Sequence, residues 1–121
     1  MKKIKYWLVG ASWKGDDQKD AFYRRGYWEM GYSDNDKPNF AEKRDSIDEG
    51  DRVAVKSMDG KGKSTITIHA LGIVKEVADG KVYIDWKITD VNRQVASKGK
   101  FSTIHGPHFY DDEWIRQVFC I

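Results

Sequence analysis

The chain holds a single cysteine, Cys120, so it cannot form an internal disulfide, and one thiol cannot build a cysteine-based zinc site. It has no apolar run near the roughly 20 residues that a membrane span requires. It also lacks the charged-then-apolar opening of a secretory signal: Met1, Lys2 and Lys3 lead into one short strand-like run that Gly10 and Lys14 interrupt. These absences point to a cytoplasmic location and no membrane partner. Charge of one sign is missing too. Lys and Arg total 21 against 19 Asp and Glu, a net charge of only +2, which argues against a protein that coats nucleic acid by field alone. Any such affinity has to come from a local patch and a specific pocket. Internal repeats, low-complexity stretches and linkers are absent.

What is present is one domain's worth of chain, 1–121, with 40% hydrophobic residues to fill a core and 33% charged residues to cover it. Aromatics are abundant, with five Trp and six Tyr. Large amphipathic rings suit pockets and interfaces as well as cores.

The pattern predicts a β-branched and aromatic strand over 4–9 and a turn over 11–15. A short helix follows over 18–25, capped by Asp16 or Asp17 and closed by Gly26. A strand over 27–32 and a polar loop over 33–39 precede a second helix over 40–47. Gly50-Asp51 is a tight turn, and 52–57 alternates with period two. A basic hairpin tip at 59–63 leads into a long strand over 65–77, bent at Gly72. Asp79-Gly80 is a two-residue hairpin signal, followed by a strand over 81–88 with Val82, Ile84 and Trp86 on one face. Residues 89–99 read as loop, 101–104 as a last strand, and 111–119 as the start of a short capped helix. The sum is an α+β chain, a small barrel of five to six mostly antiparallel strands with two to three short peripheral helices.

Several segments resemble known motifs. Tyr6-Trp7-Leu8-Val9 resembles the opening strand of EVE domains, although Gly10-Ala11-Ser12-Trp13 departs from the usual Lys-Ser-Glu-Pro. Gly26-Tyr27-Trp28 resembles the strand whose Trp lines the base pocket of YTH domains. Gly50-Asp51-Arg52-Val53-Ala54-Val55-Lys56 and Ala70-Leu71-Gly72-Ile73-Val74 are similar to strands shared by EVE, ASCH and PUA-like barrels. Together with Ile84-Asp85-Trp86, these motifs occur in the order seen in EVE-like modules at the N-terminus of some modification-dependent restriction GTPases. The resemblance spans nearly the full length. No Gly-rich phosphate loop or nuclease segment accompanies it here.

That resemblance implies a PUA-like, EVE-type barrel that reads a modified or flipped-out base in DNA or RNA and signals to a separate effector protein. A flipped base is a flat, partly apolar disc, so an indole face against it contributes roughly 1–3 kcal/mol. On this reading Trp28 and Trp13 stack, while Ser12, Asp85, Lys56 and Ser57 test the base edge. Arg24, Arg25, Lys14 and Lys19 hold phosphates, with Lys61, Lys63, Lys98 and Lys100 extending the basic surface. Each has a plainer alternative: Trp28 as a core strand residue, Trp13 as a surface-packed lid, Ser12 as a cap, and the cations as solvated helix and loop charge. Trp7 and Trp114 are expected in the core.

His69, His105 and His108 lack matched partners at ligand spacing, so neither metal nor cofactor is expected. Ser12, Ser57 and Cys120 lack the surroundings of a nucleophile, so no catalytic residue is assigned. Two rivals stand beside the binding module. One is an ASCH-like enzyme acting on RNA or modified nucleosides through Lys56 with Glu29 or Glu76. The other is an adaptor whose aromatics hold a partner protein.

Overall fold

In a computed structural model, residues 3–120 are described. The chain runs β1 (Tyr6–Gly10), β2 (Ser12–Trp13), β3 (Asp16–Asp17), α1 (Lys19–Arg25), β4 (Tyr27–Trp28), α2 (Pro38–Asp45), β5 (Arg52–Met58), β6 (Thr65–Ala78), β7 (Lys81–Ile88), β8 (Arg93–Ala96), β9 (Ile104–His108) and α3 (Glu113–Val118). It is a small α+β protein built on a mixed sheet with three helices.

The sheet order is β4-β7-β6-β5-β1-β9, with β8 also on β6. β1 and β5 run parallel, Gly10 lying opposite Lys56, and the other ladders are antiparallel. The 14 residues of β6 carry three neighbours: β5 along one edge, with β8 and then β7 in succession along the other. Among the described residues no ladder joins β4 to β9. Closure into a barrel is therefore not made by strand pairing.

Both sheet faces are covered, which explains why β1 and β5 are buried at successive positions instead of alternate ones. Trp7, Val9, Phe22, Trp28, Val53, Val55, Val82, Ile84 and Ile104 form one cluster. Leu8, Ala54, Ile66, Ile68 and the α3 residues Trp114, Ile115 and Val118 form the second. The sheet curls around the first cluster. Trp28 of β4 reaches across to β1, its Nε1–H donating to Gly10 O at 2.7 Å.

The Gly50-Asp51 turn is structural. Asp51 is 2% exposed, and its carboxylate accepts from Lys5 N, Trp7 Nε1 and Asp48 N at 3.1, 3.0 and 2.9 Å. A buried carboxylate is tolerable when several donors satisfy it. Where a bend was expected at Gly72, the structure shows a register irregularity and a close approach. A Cβ there would sit 2.3 Å from Ile84 Cγ2, and the β6–β7 register shifts between Leu71 and Gly72.

Several boundaries differ from the expected ones. The turn at 11–15 is a miniature hairpin, β2 and β3 joined through Lys14 and Gly15 at φ 50° and 87°. β4 stops after two residues. α2 begins earlier, with Pro38 in its first turn, where proline's fixed φ fits and its missing N–H costs nothing. The expected loop at 89–99 contains β8, and the last strand is 104–108 in place of 101–104. Seven strands share the main sheet, more than the five or six expected. The Gly26 cap is as expected, in the left-handed region at φ 76°. No helix among the described residues is long and apolar enough to cross a membrane.

Candidate functional site

Among the described residues, the one parallel pair fixes where a site is most easily built. Side by side, the carboxyl ends of β1 and β5 leave room above the sheet, the place where open parallel sheets hold ligands. A cavity of about 320 Å3 lies there, lined by Gly10, Ala11 and Ser12 after β1, and by Lys56, Ser57 and Met58 ending β5. Asp17 and Lys19 close one side. Phe101 and Thr103, from the loop before β9, close the other. The size falls within the roughly 300–1,000 Å3 of small-molecule sites. Gly10 N–H donates to Thr103 O at 2.8 Å and fixes that loop against β1.

Lys56 dominates the chemistry. It is 4% exposed, and no hydrogen bond or ion pair reaches its ammonium from the described residues. Among those residues, the only buried side-chain polar atom with neither partner nor solvent contact is Tyr23 Oη. The Lys56 amine therefore opens onto the cavity. Burial without a counter-charge pushes its pKa down to about 8. The carboxylate on the cavity wall, Asp17, is already engaged by Lys19 at 2.6 Å. Burial works to raise the Asp17 pKa, but the hydrogen bonds from Lys19 outweigh it and hold it below the usual range.

Ser57 Oγ lies 2.6 Å from His69 Nε2. His69 falls where β6 carries one extra residue against β5, between the pairs Val55–Ala70 and Lys56–Ile68. Such bulges re-aim a side chain. Burial, and then the Lys19 charge, lowers the His69 pKa, so the ring is mainly neutral at pH 7.

Of the six residues expected to read a base, the structure brings three together: Ser12, Lys56 and Ser57. Trp28 requires correction as a stacking residue. It is 0% exposed, packed in the first core cluster with its N–H held by Gly10 O, and offers no free face. Trp13 is half-buried and does not line the cavity. Its indole covers Gly31, whose added Cβ would meet Cδ1 at 2.5 Å, and packs edge-on to Phe22 at 5.7 Å between centroids. Its N–H donates to Glu29 O. Asp85 is exposed on β7, paired with Lys87 at 2.6 Å, and does not line the cavity. Trp7 and Trp114 are core residues, as expected.

Of the phosphate-contact candidates, Lys19 is at the cavity wall. Arg24 and Arg25 are exposed at the far end of α1, about 9 Å along the axis from Lys19 at 1.5 Å per residue. Lys14 is exposed at the β2–β3 turn. Glu29 pairs with Lys81 at 3.9 Å, Glu76 is exposed on β6, and neither lines the cavity with Lys56. Sequence reasoning missed Asp17, Met58, Phe101, Thr103 and the His69 contact. Met58 follows Ser57 in β5, and Asp17 lies opposite Ser12 in the β2–β3 hairpin. The bulge brings in His69 and the loop that folds back on β1 brings in Phe101 and Thr103, with no local signal for either.

His105 and His108 stack at 5.2 Å, with Nδ1 and Nε2 3.1 Å apart, and His108 packs on Trp114. Among the described residues no cluster of His, Cys, Asp or Glu is arranged to hold a metal ion. No protein-family model matches the chain, and no curated protein matches it.

Proposed function

We propose that this chain is a binding module that takes a modified or extruded nucleobase of DNA or RNA into the cavity at the carboxyl ends of β1 and β5. The carrying observation is Lys56, a nearly buried ammonium that has no carboxylate partner among the described residues and opens onto a space of about 320 Å3. A cation kept in that state is an unfilled donor. A base carbonyl or ring nitrogen fills it, as lysine does at the O6 and N7 of guanine. The hydroxyls of Ser12, Ser57 and Thr103 supply further edge contacts, and Phe101, 44% exposed, supplies an aromatic face. Lys19 beside the mouth, and Arg24 and Arg25 further along α1, meet the backbone phosphates. An EVE-type, PUA-like barrel accords with the five ordered motifs and with the sheet's curl around Trp28. The signal passes to a separate effector.

The test is affinity across a panel of plain and modified oligonucleotides at one salt concentration. Lys56→Met is expected to weaken the preferred oligonucleotide tenfold or more and to erase discrimination. Unchanged discrimination in that variant removes the cavity assignment.

A second reading has one observation in its favour: Ser57 against a neutral His69 at 2.6 Å resembles a hydroxyl beside a base. It makes the module a small hydrolase of RNA or modified nucleosides. Turnover that disappears in both Ser57→Ala and His69→Asn supports it. Binding without turnover rejects it.

A further inference from the structure

We infer that Lys56 is a covalent capture site, holding a small ring-borne aldehyde as an imine within the cavity at the ends of β1 and β5. The inference deepens the base-binding reading by naming a ligand class, an aldehyde-bearing base such as a formylated pyrimidine. The geometry comes first. The amine opens onto a half-open cavity of about 320 Å3, wide enough for one ring, and no carboxylate among the described residues anchors it as an ion pair. Lysines desolvated in this way supply imine chemistry in proteins.

The surrounding groups suit the steps. The Lys56 lone pair attacks the aldehyde carbon, and the carbonyl π pair becomes a hydroxyl, giving a carbinolamine. Nitrogen then expels that hydroxyl as water, leaving a protonated imine. Ammonium and aldehyde thus become iminium and water, with no oxidant or reductant consumed. Ser57, bonded to His69, and the Ser12 and Thr103 hydroxyls can pass the protons. The charged and titratable groups facing the amine are Asp17 and Lys19 on the wall and the Ser57–His69 pair. His105 of β9 also feels its charge. With an amine pKa of about 8, roughly a fifth of Lys56 is unprotonated at pH 7.4, against about one part in a thousand for an exposed lysine.

The test uses the whole chain, limiting pyridine-4-carboxaldehyde, cyanoborohydride at pH 7.4, and peptide mapping. Lys56 is expected to be reduced to a stable secondary amine at least tenfold faster than any of the other 14 lysines. Lys56→Arg, which keeps the charge, is expected to lose that adduct alone. Labelling that follows surface exposure overturns the inference. A second arm offers single-stranded oligonucleotides carrying cytosine, 5-methylcytosine or 5-formylcytosine. A borohydride-trapped complex at Lys56 with the formyl strand alone supports both readings. Reversible binding of the strands without an adduct overturns the covalent site and leaves base binding in place. An adduct with the free aldehyde, without affinity for any strand, supports the covalent site and overturns the nucleobase reading.

Discussion

Trp28 and Lys56 exchange the roles that their side chains suggest. The indole, suited to stacking, is closed in the core, and the cation, suited to solvent, is nearly buried. Trp28→Ala is expected to cost roughly 3–5 kcal/mol by leaving a cavity, and it also strips Gly10 O of its donor. A large fall in urea midpoint, before any binding effect, is the outcome to look for. Lys56→Met is expected to do the reverse. The folded amine releases its proton near pH 8 and the unfolded one near 10.5, so the unfolded chain binds more protons between those values. Wild-type stability therefore climbs from pH 8 to 10.5. At neutral pH the buried charge costs on the order of 3 kcal/mol. Urea titrations at pH 7 and pH 10 check this: the variant is more stable at pH 7, and the gap shrinks at pH 10. Ser12, Lys56 and Ser57 were legible as polar groups near a strand end. That Lys56 is 4% exposed was not, because burial is set by tertiary packing, and Thr103, Phe101 and Asp17, which line the cavity with it, are all distant in sequence.

Elements were legible where their pattern is long. β6 and β7 read directly from their β-branched runs and the Asp79-Gly80 turn. β2, β3 and β8 did not, since two to four residues carry no measurable period and only Val95 of β8 is buried. β9 was misplaced because Pro107 argues against a strand. As the end strand it pairs only with β1, and there a missing N–H is tolerated. Gly72 is the test at this scale. Gly72→Ala places a methyl 2.3 Å from Ile84 Cγ2 and 3.1 Å from Asp85 O, and the strands must part. A loss of about 1–3 kcal/mol is expected in denaturant titration. Gly31→Ala tests the seat of Trp13. It evicts Trp13 from its seat, and tryptophan fluorescence is expected to shift towards the red.

Across the whole molecule, the stacked His105 and His108 are among the groups that oppose folding in acid. Burial, followed by mutual repulsion and the charges of Lys100, Lys43 and Lys56, lowers the His105 pKa to about 4, and burial also lowers that of His108. Both bind protons more readily when unfolded, so stability falls as pH drops from about 6.5 towards 4. Melting temperatures from pH 7 to 4 are expected to decline, and less steeply in His105→Gln. Charge acts differently on binding. Replacing Arg24 and Arg25 with Gln is expected to weaken all oligonucleotides alike and to flatten the salt dependence. A change in base preference instead assigns them to the cavity.

Local chemistry, written in neighbouring residues, determined the α+β class, the long strands, the Gly26 cap and the Gly50-Asp51 turn, because each depends on spacing or on one residue's allowed backbone. The site is different in kind. A parallel β1–β5 pair, a bulge at His69 and a loop returning to Gly10 join residues more than 90 positions apart. Packing of that range decides which side chains are enclosed, and it has no period or short motif to announce it.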